Sequence, residues 1–97
     1  MEQEKKAGLK PKVEQVVKVK VLMFARAREL AGTSEMELLM PEGSTTAECV
    51  TVLTGKFPPL ESIRDCIVLA LNFNYLTDPV KVKDGDELAI IPPISGG

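Results

Sequence analysis

The residues best placed to take part in chemistry stand at the C-terminal end, where "PPISGG" runs from Pro92 to Gly97. Pro92 has no amide hydrogen to donate, so sheet pairing is expected to end there. The Pro92-Pro93 step favours a stiff, extended form, which limits the entropy lost when such a tail is captured. Gly96 and Gly97 lack a Cβ and can pass a channel too narrow for any other residue, in backbone angles that others avoid. Fully extended, Pro92 to Gly97 reach roughly 20 Å. On this reading Pro92, Pro93, Ile94, Ser95 and Gly96 are the threading segment, and the carboxylate of Gly97 is the most accessible reactive group. A meaningless flexible end is the bland alternative, and the apolar strand and Pro-Pro spacer ahead of it argue against that.

Side chains elsewhere offer little chemistry. The sequence has no histidine, which removes the commonest general base near neutral pH, the Ser-His and Cys-His nucleophile pairs, and imidazole metal sites. Cys49 and Cys66 are the two cysteines and form no CxxC pair, so they read as small buried hydrophobes in a reducing compartment. "LTGKF" at 53–57 contains a Gly-Lys step, but a phosphate loop would need glycine at Val50 and Ser or Thr at Phe57. No bound cofactor or metal is expected, and the reactive group is not expected to be a side chain.

The elements that must position the tail fit in one small domain of 97 residues with 44% hydrophobic and 4% aromatic content. A net charge of −2 from 12 basic and 14 acidic residues provides no basic face for nucleic acid. No apolar run approaches the roughly 20 residues that cross a bilayer, and the N-terminus lacks a secretory signal. Glu2, Glu4 and Glu14 with no arginine in the first 15 residues argue against a transit peptide, so neither membrane nor organelle is expected and the cytosol is the default.

Residues 1–15 are charged, with Gly8 and Pro11, and read as a disordered extension. From Val16, Val17, Val19, Val21 and Met23 alternate with Lys18 and Lys20 as a half-buried strand. "ARARELAG" reads as a short helix stopped at Gly32, and "EMELLM" as an antiparallel neighbour of the first strand, closed by "PEGS". Thr45 and Glu48 stand at capping-box spacing ahead of Ala47, Val50, Leu53 and Phe57, the face of the main helix, which ends near Lys56. "LESIRD" adds a short helical turn. "CIVLALN" reads as a buried strand, and "VKVKDGDELAII" as a hairpin of Val80–Val82 and Glu87–Ile91 turning at Asp84-Gly85. "LAII" is apolar at every position, so both its faces should be covered in mid-sheet. The result is an α+β domain over 16–91, with the outline of a β-grasp, or ubiquitin-like, roll: a mixed sheet with one main helix across it, and 92–97 as tail.

Two surface features remain. Arg26 and Arg28, with Lys18 and Lys20, form a local cationic group that suits an acidic partner or an anion, or is a solvated face with acids such as Glu29 beside it. Phe73, Tyr75 and Leu76 follow the third strand with no core periodicity, and either line a partner interface, Phe73 foremost, or fold back onto the core.

Over about residues 16–97 the sequence resembles the small, sulfur-carrying subunits of molybdopterin synthase, a ubiquitin-like family. The likeness rests on "VLMFARARELAG" at 21–32, "LALN" at 69–72 and "DGDELAIIPPISGG" at 84–97; Phe73 departs from the polar or acidic residue expected there. The resemblance implies a carrier. A ubiquitin-activating-type adenylyl- and sulfurtransferase, using ATP and magnesium, adenylates Gly97, and a sulfur donor converts the acyl adenylate to a thiocarboxylate. The tail then enters the large synthase subunit and gives its sulfur to cyclic pyranopterin monophosphate, within a heterotetramer of two small and two large subunits. A free carboxylate is a poor electrophile, so activation by a partner agrees with the missing histidines. A ubiquitin-like protein modifier, or a sulfur carrier for thiamine or tRNA thiolation, shares the fold and tail and stays open as an alternative.

Overall fold

The computed structural model describes residues 15–93. In chain order they form β1 (Val16–Met23), α1 (Ala25–Ala31), β2 (Glu35–Pro41), α2 (Thr46–Lys56), a 3-10 helix (Pro58–Cys66), β3 (Val68–Leu71), β4 (Asn74–Tyr75) and β5 (Glu87–Ile91). The five strands make one sheet in the order β2-β1-β5-β3-β4. β2 runs antiparallel to β1, from Val16 opposite Pro41 to Leu22 opposite Glu35. β5 lies parallel to β1 on one side and antiparallel to β3 on the other. This mixed sheet, with α2 and two shorter helices packed on it, is the β-grasp arrangement that the element order suggested.

The core follows from period-two alternation in the strands. Val17, Val19, Val21 and Met23 of β1, Leu38 and Met40 of β2, and Leu88 and Ile90 of β5 are all buried. Against them α2 lays Cys49, Val50 and Leu53, and Ala27, Leu60 and Val82 close the edges. The α2 N-terminus carries the expected capping box: the Glu48 amide donates to Thr45 Oγ1, and the Thr45 amide donates to Glu48 Oε1. Gly32 ends α1 at φ 78, the left-handed conformation in which glycine carries no Cβ penalty.

Several expectations need correction. Thr46, not Ala47, faces inward from the first turn of α2, because its Oγ1 accepts the Val80 amide at 3.2 Å and a buried hydroxyl with a partner is tolerated. Cys66 is exposed, since it ends the 3-10 helix instead of starting a strand; only Cys49 behaves as a buried hydrophobe. β3 is half-buried, with Val68 44% exposed. Finally, Val80–Val82 does not pair with β5 as a hairpin arm, because β1 and β3 already occupy both edges of that strand. Those residues are stitched instead to the start of α2 and the turn before it, by Thr46 N–H to the Val80 carbonyl and Val82 N–H to the Ser44 carbonyl. The Asp84-Gly85 turn survives and closes onto β1: Asp84 Oδ1 accepts the Lys18 amide at 2.7 Å, and the Gly85 amide donates to the Lys18 carbonyl.

Candidate functional site

The tail leaves from the middle strand of the five-stranded sheet. β5 is paired along both edges, its Leu88 and Ile90 are fully packed, and the Phe24 amide donates to the Ile90 carbonyl. Pro92 is buried and Pro93 exposed, so the chain emerges at the second proline. Ile94, Ser95, Gly96 and Gly97 lie outside the described residues. The expectation that strand pairing stops at Pro92 holds, with β5 ending at Ile91.

The sheet face opposite the core is only partly covered, which corrects the reading of β5 as covered on both faces. Register places Leu22 beside Ala89, Ala89 beside Ala70, and Ala70 beside Tyr75, one apolar row across four strands. Phe24, Phe73 and Ile91 join this row around an open groove of about 200 Å³, whose lower end is marked by Glu87. The groove exists because two facing positions on neighbouring strands, Ala70 and Ala89, carry only a methyl group while the walls carry large side chains. Phe24 is 46% exposed, Phe73 86% and Tyr75 73%. Clustered apolar exposure of this kind marks surfaces that receive partners.

Below the groove the same face is charged: Lys20 lies between Glu37 and Glu87, and its Nζ is 3.8 Å from Glu35. Arg26 pairs with Glu29 at 2.9 Å on α1, so the cations singled out in the sequence divide between sheet face and helix, each group with acids of its own. Of the three apolar loop residues, Phe73 and Tyr75 come together at the groove. Leu76 turns away, half-buried, to a separate cleft with Thr46, Ala47 and Pro79. Phe24, Leu22 and Ile91 are groove residues that pattern reasoning passed over: Phe24 and Ile91 end stretches read as core strand, and Leu22 occupies the outward phase that Lys18 and Lys20 had marked as polar. The signal for Phe24 was its place one step past the alternation ending at Met23.

Chemical groups are otherwise sparse. Among the described residues no cluster of three metal-ligating side chains occurs, and no helix is long and apolar enough to cross a membrane. Burial pushes the Cys49 thiol up to about 11, with the neighbouring Glu48 carboxylate adding to the shift, so it stays protonated and unreactive.

A mixed five-stranded sheet with helices packed on one face and a proline-led C-terminal segment leaving its central strand defines a ubiquitin-like β-grasp protein. Residues 21–97 match the ThiS family, and the chain belongs to that family. Among curated relatives, the molybdopterin synthase sulfur carrier subunit of Arabidopsis thaliana is 60% identical over 81 residues, 84% of each chain. That of Aedes aegypti is 43% identical over 91 residues, covering 87% of this chain and 93% of the other. Among solved structures, small archaeal modifier protein 1 from Methanosarcina acetivorans is similar at TM-score 0.73 and 30% identity, covering 86% of this chain and 99% of the other. A chain in the complex of subunits 1 and 2 of the molybdopterin-converting factor from Helicobacter pylori shares the fold at TM-score 0.63 and 22% identity, over 84% of this chain and 100% of the other.

Proposed function

We infer that this protein is the sulfur carrier of molybdenum cofactor biosynthesis, acting through the carboxylate of Gly97. The observation that carries the reading is the coupling of tail and groove: both are borne by β5, so a partner seated on the groove holds the tail's exit in a fixed position. The names of the relatives give the cargo. An activating enzyme with ATP and magnesium adenylates Gly97, releasing pyrophosphate; sulfur delivered by the donor at the oxidation level of hydrosulfide then displaces AMP, the C–S bond forming as the acyl C–O bond to AMP breaks, and leaves a thiocarboxylate. The thiocarboxylate sulfur is an exposed anionic nucleophile, which is why the chain needs no histidine.

The second partner is the large subunit of molybdopterin synthase, in an assembly of two small and two large subunits. It supplies the acid and base groups, and the groove of Leu22, Phe24, Tyr75 and Ile91 is the docking face. Pro92 and Pro93 project the tail, Ile94 and Ser95 span the entrance, and Gly96 and Gly97 reach the precursor, cyclic pyranopterin monophosphate, where side chains cannot follow. Immobilising the tail costs about 1–2 kcal/mol per residue, which the groove contacts offset. The similarity to archaeal modifier protein 1 supports a second reading, in which Gly97 is joined to lysines of other proteins.

Reconstitution with the large subunit and the precursor tests the tail's role. Gly96→Val is expected to fold as the parent does, since position 96 lies beyond β5, yet to abolish precursor conversion. Conversion at the parent rate would show that no narrow channel selects for glycine.

A further inference from the structure

The turn between β3 and β4 is built in an unusual way. Leu71 pairs with Asn74 across it, and both central residues have positive φ, 50° at Asn72 and 71° at Phe73. Two such residues in a two-residue hairpin call for Asn or Asp followed by Gly. Asn72 meets that demand, whereas Phe73 sets a bulky side chain in the left-handed region, a strained choice.

The turn is nonetheless clamped. Asn72 Nδ2 donates to Asp86 Oδ1 at 3.0 Å, Asn72 Oδ1 accepts the Glu87 amide at 2.9 Å, and the Asn72 amide donates to the Glu87 carbonyl at 2.8 Å. Asn74 Nδ2 adds a bond to the Asn72 carbonyl. Phe73 is thereby held fixed to β5, the strand that bears the tail, with its ring 86% exposed on the groove wall. Backbone strain and an exposed aromatic ring both count against this residue in the isolated chain, and glycine at the same position would remove both.

We propose that Phe73 is a specificity-determining contact, displayed by this strained turn to close on an apolar side chain of the large synthase subunit that enters the groove. The inference rests on the sulfur-carrier reading, and commits to that one occupant because the ring continues the groove wall beside Tyr75 on the strand pair that flanks the tail. The floor of Ala70 and Ala89 leaves room for a side chain of the size of Leu, Met or Phe, and Glu87 at the lower end suits a cation on the partner's rim.

Calorimetric titration of the full chain against the large subunit, with thermal melts of each variant alone, tests this. Phe73→Gly is expected to melt at or above the parent temperature and to bind about tenfold or more weakly. Phe73→Tyr should bind close to the parent, and Leu39→Ala, which trims an exposed side chain on the same face but outside the groove, should bind as the parent does. Undiminished binding by Phe73→Gly, or a lower melting temperature that marks the ring as structural, overturns the proposal. Equal weakening by Leu39→Ala overturns it as well, by showing general apolar adhesion. Failure of the parent itself to bind sinks the sulfur-carrier reading and the proposal with it.

Discussion

At the scale of single residues, the two thiols separate cleanly. Cys49 is buried in α2 and Cys66 exposed at the end of the 3-10 helix, so alkylation of the native protein is expected to modify Cys66 alone, Cys49 reacting only after unfolding. The raised Cys49 value also fixes a sign. A thiol at 9.0 in the unfolded chain and about 11 in the folded one contributes stability that is fully present below pH 9 and lost as pH rises toward 11, because the unfolded state loses its proton first. Denaturant midpoints measured from pH 8 to 11 should fall more steeply for the parent than for Cys49→Ala; equal slopes would contradict this. The exposure of Cys66 was not legible in the sequence, since "CIVLAL" reads as an unbroken apolar strand and nothing local shows that the helical turn runs through its first residue. Thr46 was missed for a related reason. The helical period was right, but its inward phase was set by a hydrogen-bond partner 34 positions away.

Secondary-structure elements were more legible, and the misses are topological. The alternations of β1 and β2, the capping box of α2 and the Gly32 stop are local signals, and each became the element expected. The Val80–Val82 arm failed because a hairpin requires a free strand edge, and competition among distant strands for the edges of β5 cannot be seen in ten residues of sequence. The same limit hid the groove. "LAII" reads as covered on both faces, whereas only Leu88 and Ile90 meet the core, and the space over Ala89 depends on register with Ala70 and Leu22. Ala89→Leu should therefore fill the groove from the outer face with little effect on stability, and weaken docking to the large subunit by about tenfold or more. A melting temperature near the parent's with unchanged affinity would place the docking face elsewhere.

At the scale of the whole molecule, the helices close one face of the sheet, while the apolar upper half of the other lies beside the exit of the tail. The carrier's shape was legible from "LAIIPPISGG" together with the missing histidines; its docking face required the fold. The central claim is that Gly97 carries sulfur. Intact-mass measurement after incubation with ATP, the activating enzyme and a sulfur donor tests it most directly. The account predicts a species in which one oxygen of the C-terminal carboxylate is replaced by sulfur, formed only when ATP is present. Absence of that species, or abundant conjugates of the chain to protein lysines in its place, would contradict it.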